Sequence, residues 1–359
     1  MRVGVLTGGG DCPGLNAVIR AIVKTTASRY QGESLGIEEG FAGLLTPVMA
    51  REMTPWTIRG ILPTGGTILG TTSSVDPTRY RRIKDGSEEE VDLSGMVLDN
   101  LKGLGLSGLI VIGGDGSLTI ARKLHDIGAP VVGVPKTIDN DICSTDLSFG
   151  FRSAVNTATD ALDKLHTTAD SHHRVIVVEV MGRYVGWIAI ESGIAGGADV
   201  ILIPEIPYDI ERVCKRIQGR YDQGSRFSIV VVAEGAKPVG GEASVIKKSK
   251  EGYWIRLGGI GNKIGEEIAE RLHVDVRVTV LGHIQRGGSP TPSDRILGTR
   301  FGVAATELVA EEKFGRMVCL RGERIENVPL AEAVRELKTV PQDGNLVQTA
   351  ESLGISLGR

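Results

Sequence analysis

Six short apolar runs, each bounded by Gly, Pro or Asp, restrict what this chain can fold into: Val3–Leu6, Leu109–Ile112, Val131–Val134, Val175–Val180, Val200–Ile203 and Ser228–Ala233. Strands apolar on both faces need cover on both sides, which is the habit of parallel sheets. Between several of the runs the period changes. Leu15, Val18, Ile19, Ile22 and Val23 recur at i, i+3, i+4, i+7 and i+8, one face of a helix. Strands alternating with helices predict an α/β architecture with a mostly parallel sheet under helices. The 359 residues leave room for about two domains, with a boundary near residue 150. The polar stretches Ser73–Glu90 and Lys237–Gly252 read as exposed loops, and a helix is expected over Asn262–Leu272.

Composition narrows the function. Aromatics are 4% of the chain while there are 49 glycines, which suits aliphatic strands joined by tight loops and leaves little for base stacking. A net charge of −3 gives no bulk attraction to nucleic acid or an anionic membrane. No apolar run approaches 18 residues and no leader precedes the first strand, so a soluble, cytoplasmic protein is expected. Cys12, Cys143, Cys214 and Cys319 are scattered without a CxxC pair and read as free thiols in a reducing compartment. His172-His173 has no acidic partner at ligand spacing, which disfavours a metal there.

Three segments carry chemistry. In Val3-Gly-Val-Leu-Thr-Gly-Gly-Gly-Asp-Cys-Pro-Gly-Leu-Asn16 a strand passes through glycines into a helix. Such a turn lets backbone N–H groups approach phosphate closely, with Gly9 and Gly10 at its centre. The spacing is neither a P-loop nor GxGxxG, which speaks against a dinucleotide dehydrogenase; a plain βα turn is the competing reading. Gly113-Gly114-Asp115-Gly116-Ser117 repeats the design after the second run. Asp115 there is either a helix cap or a carboxylate for phosphate-bound Mg²⁺. Thr137-Ile-Asp139-Asn-Asp141 follows the third run. Asp139 is a candidate base for a substrate hydroxyl and Asp141 its assistant through metal or water, against an Asx-rich turn. Further along, Arg183 emerges at a strand end in Met181-Gly182-Arg183, suited to the charge of a transferring phosphoryl group. Arg277, His283 and Arg286 surround an apolar run and could clamp a sugar phosphate, and Glu234 could bond sugar hydroxyls.

Together these segments resemble the 6-phosphofructokinase family over most of the chain. The carriers are Thr7–Asn16, Gly113–Ser117, Pro135-Lys-Thr-Ile-Asp-Asn-Asp141, Glu179-Val-Met-Gly-Arg183, Val232-Ala-Glu234 and Leu281-Gly-His-Ile-Gln-Arg-Gly-Gly288. The resemblance implies two Rossmann-like domains with the active site in the cleft. Residues 1–150 plus about 285–335 would bind the phosphate donor. Residues 151–284 plus about 336–359 would bind fructose 6-phosphate. It further implies that Asp139 deprotonates the 1-hydroxyl, that Thr137 and Arg183 stabilise the transferring group, and that Asp115 meets Mg²⁺. Gly9, Gly10, Gly114, Gly116, Ser117 and Lys136 would cradle the donor. Met181, Gly182, Glu234, His283 and Arg286 would contact sugar phosphate, as would Arg174 and Arg277, the last two lent across a subunit interface in a dimer or tetramer.

The donor signature within that resemblance is mixed. Gly116 goes with a nucleotide, whereas Lys136 before Thr-Ile-Asp goes with pyrophosphate, and Thr71–Ser74 stands where bacterial ATP enzymes carry a donor-binding arginine. A bulky acid at 116 would obstruct and repel an α-phosphate, so the expectation is ATP, with pyrophosphate as the alternative. Arg20 and Lys24 match basic positions of the bacterial regulatory site, but His166, Ser225 and Arg226 depart from its pattern. A non-catalytic sugar-phosphate or nucleotide sensor is a more remote reading, opposed by Asp115 and Asp139 both being present.

Overall fold

A computed structural model describes residues 1–84, 87–248 and 255–359. They divide into two compact units, Met1–Ser153 with Arg286–Leu337, and Ala154–Gln285 with Lys338–Arg359. The first unit opens with β1 (Arg2–Thr7), α1 (Leu15–Tyr30), β2 (Glu33–Ile37) and β3 (Ala50–Met53). It continues through β4 (Tyr80–Lys84), β5 (Ser87–Val91), α2 (Ser94–Gly103), β6 (Gly108–Gly113), α3 (Asp115–Asp126), β7 (Val131–Thr137) and β8 (Phe149–Gly150). Helix α4 (Phe151–His172) leads to β9 (Val175–Val180), α5 (Trp187–Ala195), β10 (Val200–Leu202), α6 (Ile210–Asp222) and β11 (Ser228–Ala233). Then come β12 (Val245–Lys248), β13 (Ile255–Leu257), α7 (Ile260–Leu272) and β14 (Val276–Val280). The chain returns to the first unit as α8 (Pro292–Ala310), β15 (Arg316–Arg321), β16 (Arg324–Pro329) and α9 (Leu330–Ala333), and α10 (Asn345–Ser352) belongs to the second.

The sheet of the first unit runs β16-β15-β7-β6-β1-β2-β3, parallel from β15 to β2, with an antiparallel strand at each edge. Leu6, Leu109, Val111 and Val131 pack on one face with Val97, Leu101, Leu118 and Leu124 of α2 and α3. The alternate residues Val3, Val5, Ile110, Ile112, Val132 and Val134 are equally buried and point to the opposite face. Helices α1 and α8 pack together on that side. A Cβ on Gly302 would lie 2.7 Å from the Val18 carbonyl oxygen, so glycine sets how near α8 comes to α1. Each aliphatic side chain so enclosed contributes roughly 1.5–3 kcal/mol.

The second unit holds a fully parallel sheet, β10-β11-β9-β14. Val175, Val177, Val200, Val230 and Val232 meet Val213 and Ile217 of α6 and Ile260, Ile264 and Ile268 of α7. The first sheet reverses its winding direction between β1 and β6. Open α/β sheets bind ligands at such switch points, beyond the carboxyl ends of the strands.

Three expectations need correction. Ser73–Glu90 is not one loop, because β4 and β5 form a hairpin in which Arg82 and Glu89 pair at 2.9 Å; opposite charges facing across strands stabilise such ribbons. In Lys237–Gly252, β12 pairs with β13, while residues 249–252 lie outside the described residues. Helix α7 begins at Ile260 rather than Asn262, after Gly259 takes a left-handed φ of 78°.

Candidate active site

In the first unit the two glycine segments meet because their strands are neighbours. Thr7 pairs with Ile112, and Gly8 N–H extends the ladder to the Ile112 carbonyl at 2.9 Å. The loop after β1 is held from above by the segment ending at Thr72. Gly9 N–H donates to the Thr72 carbonyl at 3.1 Å, and the Thr71 hydroxyl donates to the Gly9 carbonyl at 2.6 Å. Gly9 has φ 78°, and a Cβ on Gly10 would lie 2.8 Å from Arg286 Nη1. Larger residues at these positions would strain the turn or displace the guanidinium.

Gly9, Gly10, Gly114, Asp115, Gly116, Ser117, Lys136, Thr137 and Arg286 all line one pocket of about 540 Å³. That is the usual size of a small-molecule site. The N-terminus of α3 opens onto it, with Gly114 as the capping position and Asp115 and Gly116 in the first turn. Such a terminus presents unpaired N–H groups and favours anions. A Cβ on Gly116 would meet no atom within 4 Å, so the space beside it is open. Lys136 is buried, and its ammonium donates to the Gly10 carbonyl. Burial pushes its pKa down, opposed by the nearby Cys12, Asp11 and Asp141, with Arg286 adding to the fall.

The carboxylates lie beyond β7. Asp139 N–H donates to the Thr137 hydroxyl at 3.0 Å, and Asn140 takes φ 53°. The Asn140 side chain accepts from Ser148 N–H at 3.1 Å, and Ser148 donates to the Thr137 carbonyl at 2.9 Å. The Asx-rich turn is therefore real, and it fixes where Asp139 and Asp141 sit. Burial, and then the charge of Asp141, raise the pKa of Asp115. Mutual repulsion between two acids beside a phosphate-sized pocket suits a cation, although no group of three or more metal-binding side chains forms among the described residues. A magnesium ion fits such a donor set, since it takes one or two carboxylates and completes its shell with water and phosphate oxygens.

In the second unit the ends of β9, β11 and β14 gather a different set. Ala233 pairs with Val180 and Val280 with Glu179, so Met181, Gly182, Arg183, Glu234 and His283 all follow the carboxyl edge of one sheet. Glu234 N–H donates to the Val180 carbonyl at 2.9 Å, and Gly235 N–H to Gly182 at 3.1 Å. Arg183 stacks on Tyr184, its guanidinium 4.7 Å from the ring centroid. Buried Glu179, to which no role attaches in the sequence, accepts from Gly259 at 3.2 Å and Gly261 at 2.8 Å and anchors the start of α7.

Arg174 and Arg277 do not join this set. Arg174 precedes β9, and Arg277 pairs with Ile176 at the amino end of the same sheet. The six residues of β9 lie between Arg174 and Met181, seven steps of about 3.3 Å or about 23 Å at the usual rise. The two arginines share Asp275, each at 2.5 Å. Thr72–Ser74, part of the segment that departs from the family's donor-binding pattern, do line the donor pocket, whereas the wall made by Phe41, Val75, Asp76, Thr119 and Ile120 has no motif in the sequence to mark it.

A pocket floored by glycine and a helix end, with its own acids beside it, suits phosphate groups, and an α/β fold with such a pocket is that of a phosphotransferase. The chain belongs to the phosphofructokinase family, which it matches over residues 2–309. It is 53% identical to the ATP-dependent 6-phosphofructokinase of Chloroflexus aurantiacus, over 99% of this chain and 98% of that one. It is 48% identical to the ATP-dependent 6-phosphofructokinase 2 of Clostridium perfringens, with the same coverage. Among solved structures, Pichia pastoris phosphofructokinase in the T-state superposes with a TM-score of 0.80 at 31% identity, over 93% of this chain and 35% of the yeast chain. The pyrophosphate-dependent enzyme of Marinobacter aquaeolei, at 22% identity and a TM-score of 0.80 over 99% of this chain and 91% of its own, shares the fold.

Proposed function

We propose that this chain transfers the terminal phosphoryl group of ATP to the 1-hydroxyl of fructose 6-phosphate, giving fructose 1,6-bisphosphate. The observation that carries the donor is the open space at Gly116 in a pocket of about 540 Å³, where the inner phosphates of a nucleotide have room. The named ATP-dependent relatives support the same reading. Lys136 does not oppose it, because its ammonium, held by the Gly10 carbonyl, adds positive charge beside the phosphates without filling the space at Gly116.

The residues divide the work by their placement. The Gly9–Gly10 turn and the amino end of α3 bind and orient the phosphates. Asp139 takes the proton of the attacking hydroxyl, held by the Thr137–Ser148 turn, while Thr137 and Arg183 offset charge on the group in transit. Asp115, with Asp141 near it, would hold Mg²⁺, which neutralises phosphate oxygens when bound. Met181, Gly182, Glu234 and His283 orient the sugar phosphate. Arg286 borders the donor pocket and complements phosphate charge there. Arg174 and Arg277, stationed at the far end of their sheet, act on the sugar phosphate of a neighbouring copy, which makes the enzyme a homo-oligomer.

The test is formation of fructose 1,6-bisphosphate with ATP, ADP, GTP or pyrophosphate as sole donor. Turnover with ATP is expected. Activity with pyrophosphate and none with ATP would overturn the assignment and make Lys136 the better marker.

A further inference from the structure

A second pocket, of about 340 Å³, lies wholly in the second unit and is lined by Arg212, Lys215, Arg216, Gly219, Gln223, Ser356 and Arg359. It shares no residue with the donor pocket or with the carboxyl edge of the β9–β11–β14 sheet. Nor does it include Arg20, Lys24, His166, Ser225 or Arg226, where the family's regulatory pattern falls.

Its walls are fixed. Residues 212, 215, 216 and 219 recur at i, i+3, i+4 and i+7 and so share one face of α6. The C-terminal segment is tied down opposite them. Ile201 N–H donates to the Ser356 carbonyl at 2.9 Å, Ser356 N–H to Asp199 at 3.0 Å, and Asp209 N–H to Gly358 at 2.8 Å.

Its charge is one-sided. Four cationic side chains face a single small space in a chain whose net charge is −3. Carboxylates offset part of that charge at Arg359 and Arg212, but none forms an ion pair with Lys215 or Arg216 among the described residues. Asp199 pairs with Arg220 at 2.8 Å, Glu351 holds Arg359 at 2.8 Å, and Asp209 is 3.9 Å from Arg212. Arg216 Nε is buried without a hydrogen-bond partner among the described residues, a donor that ordinarily finds one. Like charges at i, i+3 and i+4 repel, and Arg212 stands in the first turn, where the helix end is itself positive. An anion in the pocket relieves both costs.

We propose that this pocket is a second anion site, which takes a small phosphorylated metabolite through its dianionic phosphate. Lys215 and the Arg216 guanidinium would hold the phosphate. Gln223 and Ser356 supply neutral polar groups for the rest of the molecule, and the volume admits a three- to six-carbon compound.

The site can be tested with inorganic phosphate as probe. The full chain is titrated by calorimetry with fructose 6-phosphate and a non-hydrolysable ATP analogue both saturating, so that the other phosphate positions are filled. One further phosphate per chain is expected, with Kd of about a few millimolar or tighter. Gly219 offers a variant that keeps the fold. Its Cβ position is open, and replacing a helical glycine favours the helix. Gly219→Ala should bind phosphate as the unmodified protein does. Gly219→Glu puts a carboxylate in the pocket and should weaken binding by about tenfold or more, with kcat unchanged. Lys215→Glu with Arg216→Glu should abolish it. No uptake up to about 50 mM phosphate, a range that covers weak specific binding, would overturn the proposal. So would equal affinity in Gly219→Glu and Gly219→Ala. Neither result depends on which sugar or donor the enzyme turns over.

Discussion

Gly116→Asp tests the donor assignment at a single atom's worth of space. Gly116 lies in the first turn of α3, has no left-handed φ, and a Cβ there meets nothing within 4 Å. The backbone therefore accepts aspartate without strain. An acid in a first turn is favoured by the helix dipole by about 0.3–1 kcal/mol, so stability should hold or rise. The new carboxylate enters the pocket beside Asp115, whose own pKa is already raised by burial and by Asp141. A phosphate oxygen about 5 Å from it, at an effective dielectric of about 20, meets a repulsion of about 3 kcal/mol per unit charge. That is a loss of about 200-fold in kcat/KM for ATP. Gly116→Ala adds volume without charge and should stay within about fivefold, the scale of a small steric change. A coupled assay across ATP concentrations, with Tm recorded for each variant, separates these outcomes. ATP use by Gly116→Asp within threefold of Gly116→Ala, which differs from it by that carboxylate, would refute the reasoning.

Asp139→Ser should lower kcat by about 100-fold or more while fructose 6-phosphate still binds, the scale of a lost general base; near-normal turnover would remove Asp139 from the mechanism. Asp275 holds Arg174 and Arg277 together. In Asp275→Asn the two guanidinium groups repel, and KM for fructose 6-phosphate should rise about fivefold, the scale of a partly exposed ion pair. Here kcat should hold and Asp275→Glu should restore KM; an unchanged KM counts against their pairing. Dissociating the enzyme should raise that KM further, and sedimentation showing a monomer of full affinity would exclude lent arginines. Cys12 is buried, with a thiol pushed up to about 12, and burial also raises Cys214 and Cys319, whereas Cys143 is partly exposed. A thiol reagent at pH 8 should therefore modify one cysteine rapidly and the other three only on unfolding; rapid modification of all four would contradict the burial.

The sequence showed those strands whose burial is two-sided. Val3–Leu6, Leu109–Ile112 and Val175–Val180 have nothing but core around them, so their composition carries the signal. It hid the strands that border solvent. Ala50–Met53 is an edge strand with Arg51 and Glu52 exposed, and Arg324–Pro329 alternates charge with half-buried residues. In β14, Val276-Arg-Val-Thr-Val280, an edge position admits Arg277 near the start of the strand. Site residues divide in the same manner. Gly9, Asp115 and Thr137 follow directly from strand ends, whose position the apolar runs betray. Thr72–Asp76 reach the pocket from chain with no regular period, held by hydrogen bonds such as Thr71 to Gly9 that no local pattern announces.

Nearness in sequence misleads most where a parallel strand intervenes. Arg174 and Arg183 are nine positions apart (174 to 183), and both carry the charge a phosphate needs. Yet β9 begins after the first and ends before the second, so its whole length separates them. Arg277 and His283 are divided likewise by the end of β14, in register with β9. In a parallel sheet all carboxyl ends lie on one side, and ligands collect there. Arg183, Glu234 and His283 follow that edge, where the sugar-phosphate site proposed above falls. Two arginines at the amino edge, already gathered by one aspartate and still partly exposed, have no such site in their own sheet. Their shared pairing suits the clamp proposed above, since a phosphate displacing Asp275 would find both guanidinium groups already side by side.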